Sequence, residues 1–149
     1  MDFITKLFDF DFTALVPEMG VLLGMLKTLI VFAVLCGPVA MVVLGAMYLW
    51  KPAKEANYRY GYRTYFGMGG VEAWRFSQKI AGLVYLGLGG LLAVAMLVVL
   101  IVTAGADMFG FAKAAAICLG IELGLTLAAR LALLIVTGKF FDKNGDRRK

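Results

Sequence analysis

Three long stretches of this chain run almost without charge: Val21 to Trp50, Ile80 to Ala104 and Phe111 to Thr137. Only Lys27, Lys113, Glu122 and Arg130 interrupt them. A helix rises about 1.5 Å per residue, so about 20 apolar residues cross the roughly 30 Å hydrocarbon core of a bilayer. Each stretch meets that length, and the pattern predicts an all-α membrane protein with three transmembrane helices at 21–50, 80–104 and 111–137. Pro38 removes a backbone donor inside the first span and predicts a kink after Gly37. Lys27 and Lys113, near the outer ends of their spans, are expected to reach water along their methylene stems.

The polarity of the first residues has a different period. At 100° per residue, Asp2, Thr5, Lys6, Asp9 and Thr13 fall on one side, and Phe3, Ile4, Leu7, Phe8, Phe10, Ala14 and Leu15 on the other. Segment 2–16 therefore reads as an amphipathic interfacial helix that precedes the first span and ends before Pro17. It has neither the basic start nor the long apolar run of a cleavable signal.

Composition agrees with this picture: 62% of the 149 residues are apolar, more than a soluble domain of this length buries. One compact membrane unit, 1–149, is expected. Charge then sets orientation. The first 20 residues hold one lysine against four acids. The loop 51–79 holds six Lys/Arg against two acids, and the tail 138–149 holds five against two. By the positive-inside rule the loop and the tail are cytoplasmic and the amino terminus lies outside.

The chain has no histidine, and its two cysteines, Cys36 and Cys118, lie inside spans. That excludes the usual zinc and redox motifs, and no disulfide is expected between these packing thiols. P-loop, nucleophile-elbow and dinucleotide fingerprints are missing as well. No catalytic residue, metal or cofactor is therefore assigned, and the chain is not expected to be an enzyme.

Two features stand out from the apolar background. The first is Glu122, near the middle of the third span, where an ionised side chain costs about 3 kcal/mol, so it should face protein or water. Arg130 is about 12 Å further along and about 80° around the same helix, too far for a direct bond within it. Gly120, Gly124 and Ala128 form a small-xxx-small face, matched on the second span by Gly82, Gly87, Gly89, Gly90 and Ala93. These faces permit close helix packing or a homo-oligomer contact. Glu122 then serves a tight helix pair, a proton or ion path, or a contact to a ligand.

The second feature is the polar island ANYRYGYRTYFGMGGVEAW, Ala56 to Trp74. Period-two alternation places Tyr58, Tyr60 and Tyr62 on one side and Arg59, Gly61 and Arg63 on the other. Rings in the headgroup layer and cations on phosphate are the simplest outcome. Asn57, Gly61 and Thr64 are turn and hydrogen-bonding residues, and Gly69-Gly70 restarts a helix that carries Trp74 and Gln78. Arg63, with its planar fork, can hold a carboxylate, a phosphate or helix-end carbonyls, and Trp74 would pin the restarted helix at the interface. The island is either a clamp on the helix ends or a recognition surface.

The order Asn57, then Gly61-Tyr62-Arg63-Thr64, then Trp74 and Gln78 leading into a glycine-rich span resembles the SdpI family of bacterial membrane proteins. The resemblance covers about half the chain, from Asn57 through the third span. It implies a multi-span protein of the bacterial cytoplasmic membrane. It further implies immunity against, or sensing of, a secreted toxic peptide, with that peptide or a cytoplasmic regulator as partner. Two other classes fit the residues: a small transporter or channel that uses Glu122, and a structural subunit of a larger membrane complex. Nucleic acid is not an expected partner, because the basic loop is short and tethered to the bilayer at both ends.

Overall fold

The computed structural model describes residues 12–148 apart from 55 and 57–59. The described residues form three long helices: α1, Phe12–Trp50; α2, Val71–Thr103; and α3, Met108–Phe140. Each is long and apolar enough to cross a bilayer. A single 3-10 turn, Gly67–Gly69, precedes α2. Without water in the hydrocarbon core, only a helix satisfies every backbone group of an isolated span, so hydropathy dictates these elements.

Most of the expected interfacial helix, residues 2–11, lies outside the described residues. Its expected end before Pro17 does not occur, because α1 begins at Phe12 and continues through Pro17. Pro17 is the sixth residue of α1, so it removes the N–H that would donate to the Thr13 carbonyl, a loss the helix carries without ending. Pro38 lies in the same uninterrupted helix with its side chain fully buried.

Helices α1 and α2 meet through glycine. A Cβ on Gly45 would lie 2.5 Å from the backbone nitrogen of Leu86, and one on Gly89 would lie 3.0 Å from the carbonyl oxygen of Pro38. A Cβ on Gly82 would lie 2.7 Å from Leu49 Cγ. These three positions let the backbones approach as small residues do in membrane helix pairs. Gly87, Gly90, Gly120 and Gly124 were expected to serve the same purpose, but nothing lies within 4 Å of a Cβ built on any of them. Their faces point away from the bundle. Ala128 is exposed beside them.

Helix α3 is the least covered. Its buried residues cluster near its two ends, with Phe111, Ala115 and Cys118 at one and Ala129, Leu133 and Thr137 at the other. Cys36 faces outward while Cys118 is buried, and both thiols are free. At the end of the bundle where α2 runs into α3, Lys27 is tied to the connector. Its ammonium donates to the carbonyls of Ala104, at 3.0 Å, and Ala106, at 2.7 Å, and lies over the Phe111 ring, 5.3 Å from its centroid. These carbonyls belong to the connector just past α2, next to the negative end of that helix's dipole. One cation thus ties α1 to α2 and α3.

Candidate functional site

The polar island folds against the opposite end of the bundle. Its central device is Gln78, fully buried on α2. Gln78 Oε1 accepts from the Tyr62 backbone N–H at 2.8 Å, and Gln78 Nε2 donates to the Tyr62 carbonyl at 2.7 Å. A primary amide presents one donor and one acceptor side by side, so it pairs with an extended residue as a neighbouring strand would. Gly61, just before, adopts φ +115°, a conformation that L side chains rarely take. A Cβ there would lie 2.5 Å from Trp74 Cζ2.

Trp74 is fully buried, not exposed at the interface, and its indole N–H donates to the Ala53 carbonyl at 2.9 Å. That bond ties the exit of α1 to the first turn of α2. Thr64 is buried, and its hydroxyl accepts from the Gly67 N–H at 2.9 Å to set up the 3-10 turn. Asn57 lies outside the described residues.

The rings of Tyr60 and Tyr62 face protein, contrary to the expectation that they meet lipid headgroups, and Tyr58 lies outside the described residues. Tyr62 is buried, and its ring meets Tyr85 of α2 edge-on at 5.6 Å between centroids. Tyr48 of α1 lies 6.2 to 6.3 Å from Tyr60, Tyr62 and Tyr85. Such tilted and edge-on pairs suit the ring quadrupole. Burial pushes the Tyr62 phenol above its ordinary value, and the charge of Arg130, which lines the same cleft, pulls the other way. Arg130 of α3 therefore belongs to this site.

Glu122 does not. Its carboxylate rests against Gly37 of α1, and a Cβ on Gly37 would overlap Oε1. It borders a cleft of about 280 Å³ whose other walls, Leu119, Leu123 and Thr126, come from α3 itself. One turn on, the Thr126 hydroxyl meets Met41 Sδ at 3.6 Å.

The loop contacts α3 a second time through Phe66, whose ring lies where a Cβ on Gly138 would be, 2.5 Å from Cε2. Beyond α3, the tail turns back. Asp142 Oδ1 accepts from the N–H groups of Asn144 and Asp146, both at 2.9 Å, and Gly145, at φ +80°, packs on Gly69 and Gly70. The Arg147–Glu72 pair, 3.5 Å apart, is about two-thirds exposed on both sides and contributes little. This tail contact was missed from sequence, although Asn144-Gly145 is a turn signal.

Exposure alternates along the motif. Tyr62 and Thr64 are buried, while Arg63 and Tyr65 are exposed. Arg63 lines two clefts. One, of about 320 Å³, lies towards α3 and includes Arg130; the other, of about 480 Å³, lies towards the tail and includes Met68 and Lys143. Among the described residues, no group of three or more His, Cys, Asp and Glu side chains could hold a metal ion. The family model of the SdpI/YfhL protein family matches residues 54–138, from the loop to the end of the third span. No curated protein and no solved structure matches the chain.

Proposed function

Because the chain belongs to the SdpI/YfhL protein family, we propose that it is a membrane protein that confers immunity against, or senses, a secreted toxic peptide, with the motif loop as its working surface. The carrying observation is the division of labour within that loop. Tyr62, Trp74 and Gln78 point inward and fix it to α1 and α2, and the buried Thr64 closes its turn on Gly67. Arg63 and Tyr65 point outward from a backbone that cannot easily move. Clamp and recognition surface thus use alternate residues of one strand-like segment, and the first holds the second in place.

The cleft formed by Arg63, Tyr65, Met68 and Lys143 suits an acidic or carboxylate-bearing segment, because a guanidinium and an ammonium flank it. By the positive-inside rule this face is cytoplasmic, in a bacterial cytoplasmic membrane, with the amino terminus outside. Cysteines placed at Lys54 or Asn144 should then resist impermeant thiol reagents in intact cells, and one at Asp107 should react.

Survival of cells challenged with a secreted membrane-active peptide, measured beside thermal stability in detergent, tests the function. Arg63→Ala and Tyr65→Ala should melt like the parent and lose protection. Trp74→Ala should lose both. Parent expression that gives no protection would sink the immunity reading, and protection intact in both outward-facing variants would remove the loop from it.

A further inference from the structure

Two guanidiniums from different parts of the chain meet beside a strip of leucines. On α3, Leu127, Arg130, Leu131 and Leu134 follow the i, i+3, i+4, i+7 spacing of one helix face. The leucines are 53%, 60% and 37% exposed. The loop brings Arg63 to the same cleft of about 320 Å³, whose inner wall is Tyr62. Arg130 lines this cleft beside the buried Tyr62, whose backbone is itself held by Gln78.

The depth of this cleft can be read from the helices. Lys27, Ala104 and Phe111 lie together at the outer end. Tyr48, Tyr85 and Arg130 each stand about 20 residues, or about 30 Å, along their own helices from that level. The cleft therefore opens sideways at the depth of lipid phosphates, in the leaflet next to the motif loop. A guanidinium on an apolar helix face at this depth favours an anionic oxygen partner, and its fork matches phosphate.

We propose that this cleft holds one anionic phospholipid. Its phosphate sits between Arg63 and Arg130, and its glycerol and the start of an acyl chain lie along Leu127 and Leu131. This site shares Arg63 with the surface proposed above but faces the bilayer, and lipid preference measured without any toxic peptide tests it separately.

Native mass spectrometry of the purified full chain, with phosphatidylglycerol and phosphatidylcholine of matched chains, tests the assignment. Two guanidiniums at about 1 kcal/mol each predict roughly a thirtyfold preference for phosphatidylglycerol. Arg63→Gln and Arg130→Gln should each remove most of that preference, while Lys79→Gln, on another face, should keep it. Glycerol 3-phosphate, which has the anion without the chains, should compete poorly. Equal retention of the two lipids overturns the proposal, as does a preference intact in an Arg63→Gln protein that melts like the parent. Equal loss in Lys79→Gln would mean diffuse charge attraction only. Full displacement by glycerol 3-phosphate would mean a free-anion site.

Discussion

Replacing Gln78 with leucine keeps nearly the same volume and deletes both hydrogen bonds to the Tyr62 main chain. The Tyr62 N–H and carbonyl then remain buried without partners, at about 1–3 kcal/mol each. Leucine recovers part of this, because its buried apolar surface contributes about 1–2 kcal/mol. A net loss of about 3 kcal/mol is expected. At about 2–4 °C per kcal/mol for a chain near this size, melting in detergent should fall by about 6–12 °C. The damage should be local, so tryptic cleavage after Arg63 should accelerate before the helices melt. Gln78→Glu sharpens the test: a carboxylate still accepts from the Tyr62 N–H but sets an oxygen against the Tyr62 carbonyl. It should be destabilised at neutral pH and regain stability on acidification, when the carboxyl can donate. A Gln78→Leu protein with parental melting and parental protease resistance would show that this amide pair does not hold the loop.

Gly61→Ala forces an alanine to φ +115° and a methyl against Trp74, so a loss of at least about 2 kcal/mol is expected in thermal unfolding, whereas Gly90→Ala, with open space around it, should be neutral or slightly stabilising. Lys27→Met removes the donor to two connector carbonyls, and hydrogen exchange should accelerate around residues 104–107 while the motif loop keeps its protection. Gly37→Ala should destabilise because its methyl overlaps the Glu122 carboxylate, and adding Glu122→Ala should relieve most of that loss; additive losses would place the carboxylate elsewhere. Glu122→Gln should stay within about 1 kcal/mol of the parent, and proteoliposomes should show no ion flux; flux abolished by both Glu122→Gln and Glu122→Leu would establish transport.

The three spans were legible because a bilayer admits few alternatives to an apolar helix. The helix restart after Gly69-Gly70 was legible for a similar reason, since glycine pairs punctuate chains strongly. Alternation in the motif correctly separated Tyr60 and Tyr62 from Arg63, but periodicity names two sides without saying what covers each. The ring side is covered by Tyr48 and Tyr85, which lie far away in sequence on separate helices. Glycine patterns failed in the same way: Gly120-xxx-Gly124 reads as an interface and faces outward, while Gly45, with no small partner four residues away, makes the closest approach to α2. Whether Arg130 would pair with Glu122 or with something else also depended on which helix faces met. Folding turned Arg130 towards Tyr62 and Glu122 towards Gly37.

Lys27 at one end, and the Gln78–Trp74 clamp with the Phe66–Gly138 contact at the other, fasten the helices together at two levels, leaving the centre of α3 only lightly packed. Helices tied at both levels cannot slide past one another, so the spacing between the two ties acts as a fixed gauge of hydrophobic thickness. In a thinner bilayer the bundle must tilt as one body, and in a thicker one the lipids must compress around it. A change of membrane thickness is thereby met by tilt of the whole bundle, and the motif loop keeps its place on the helix ends.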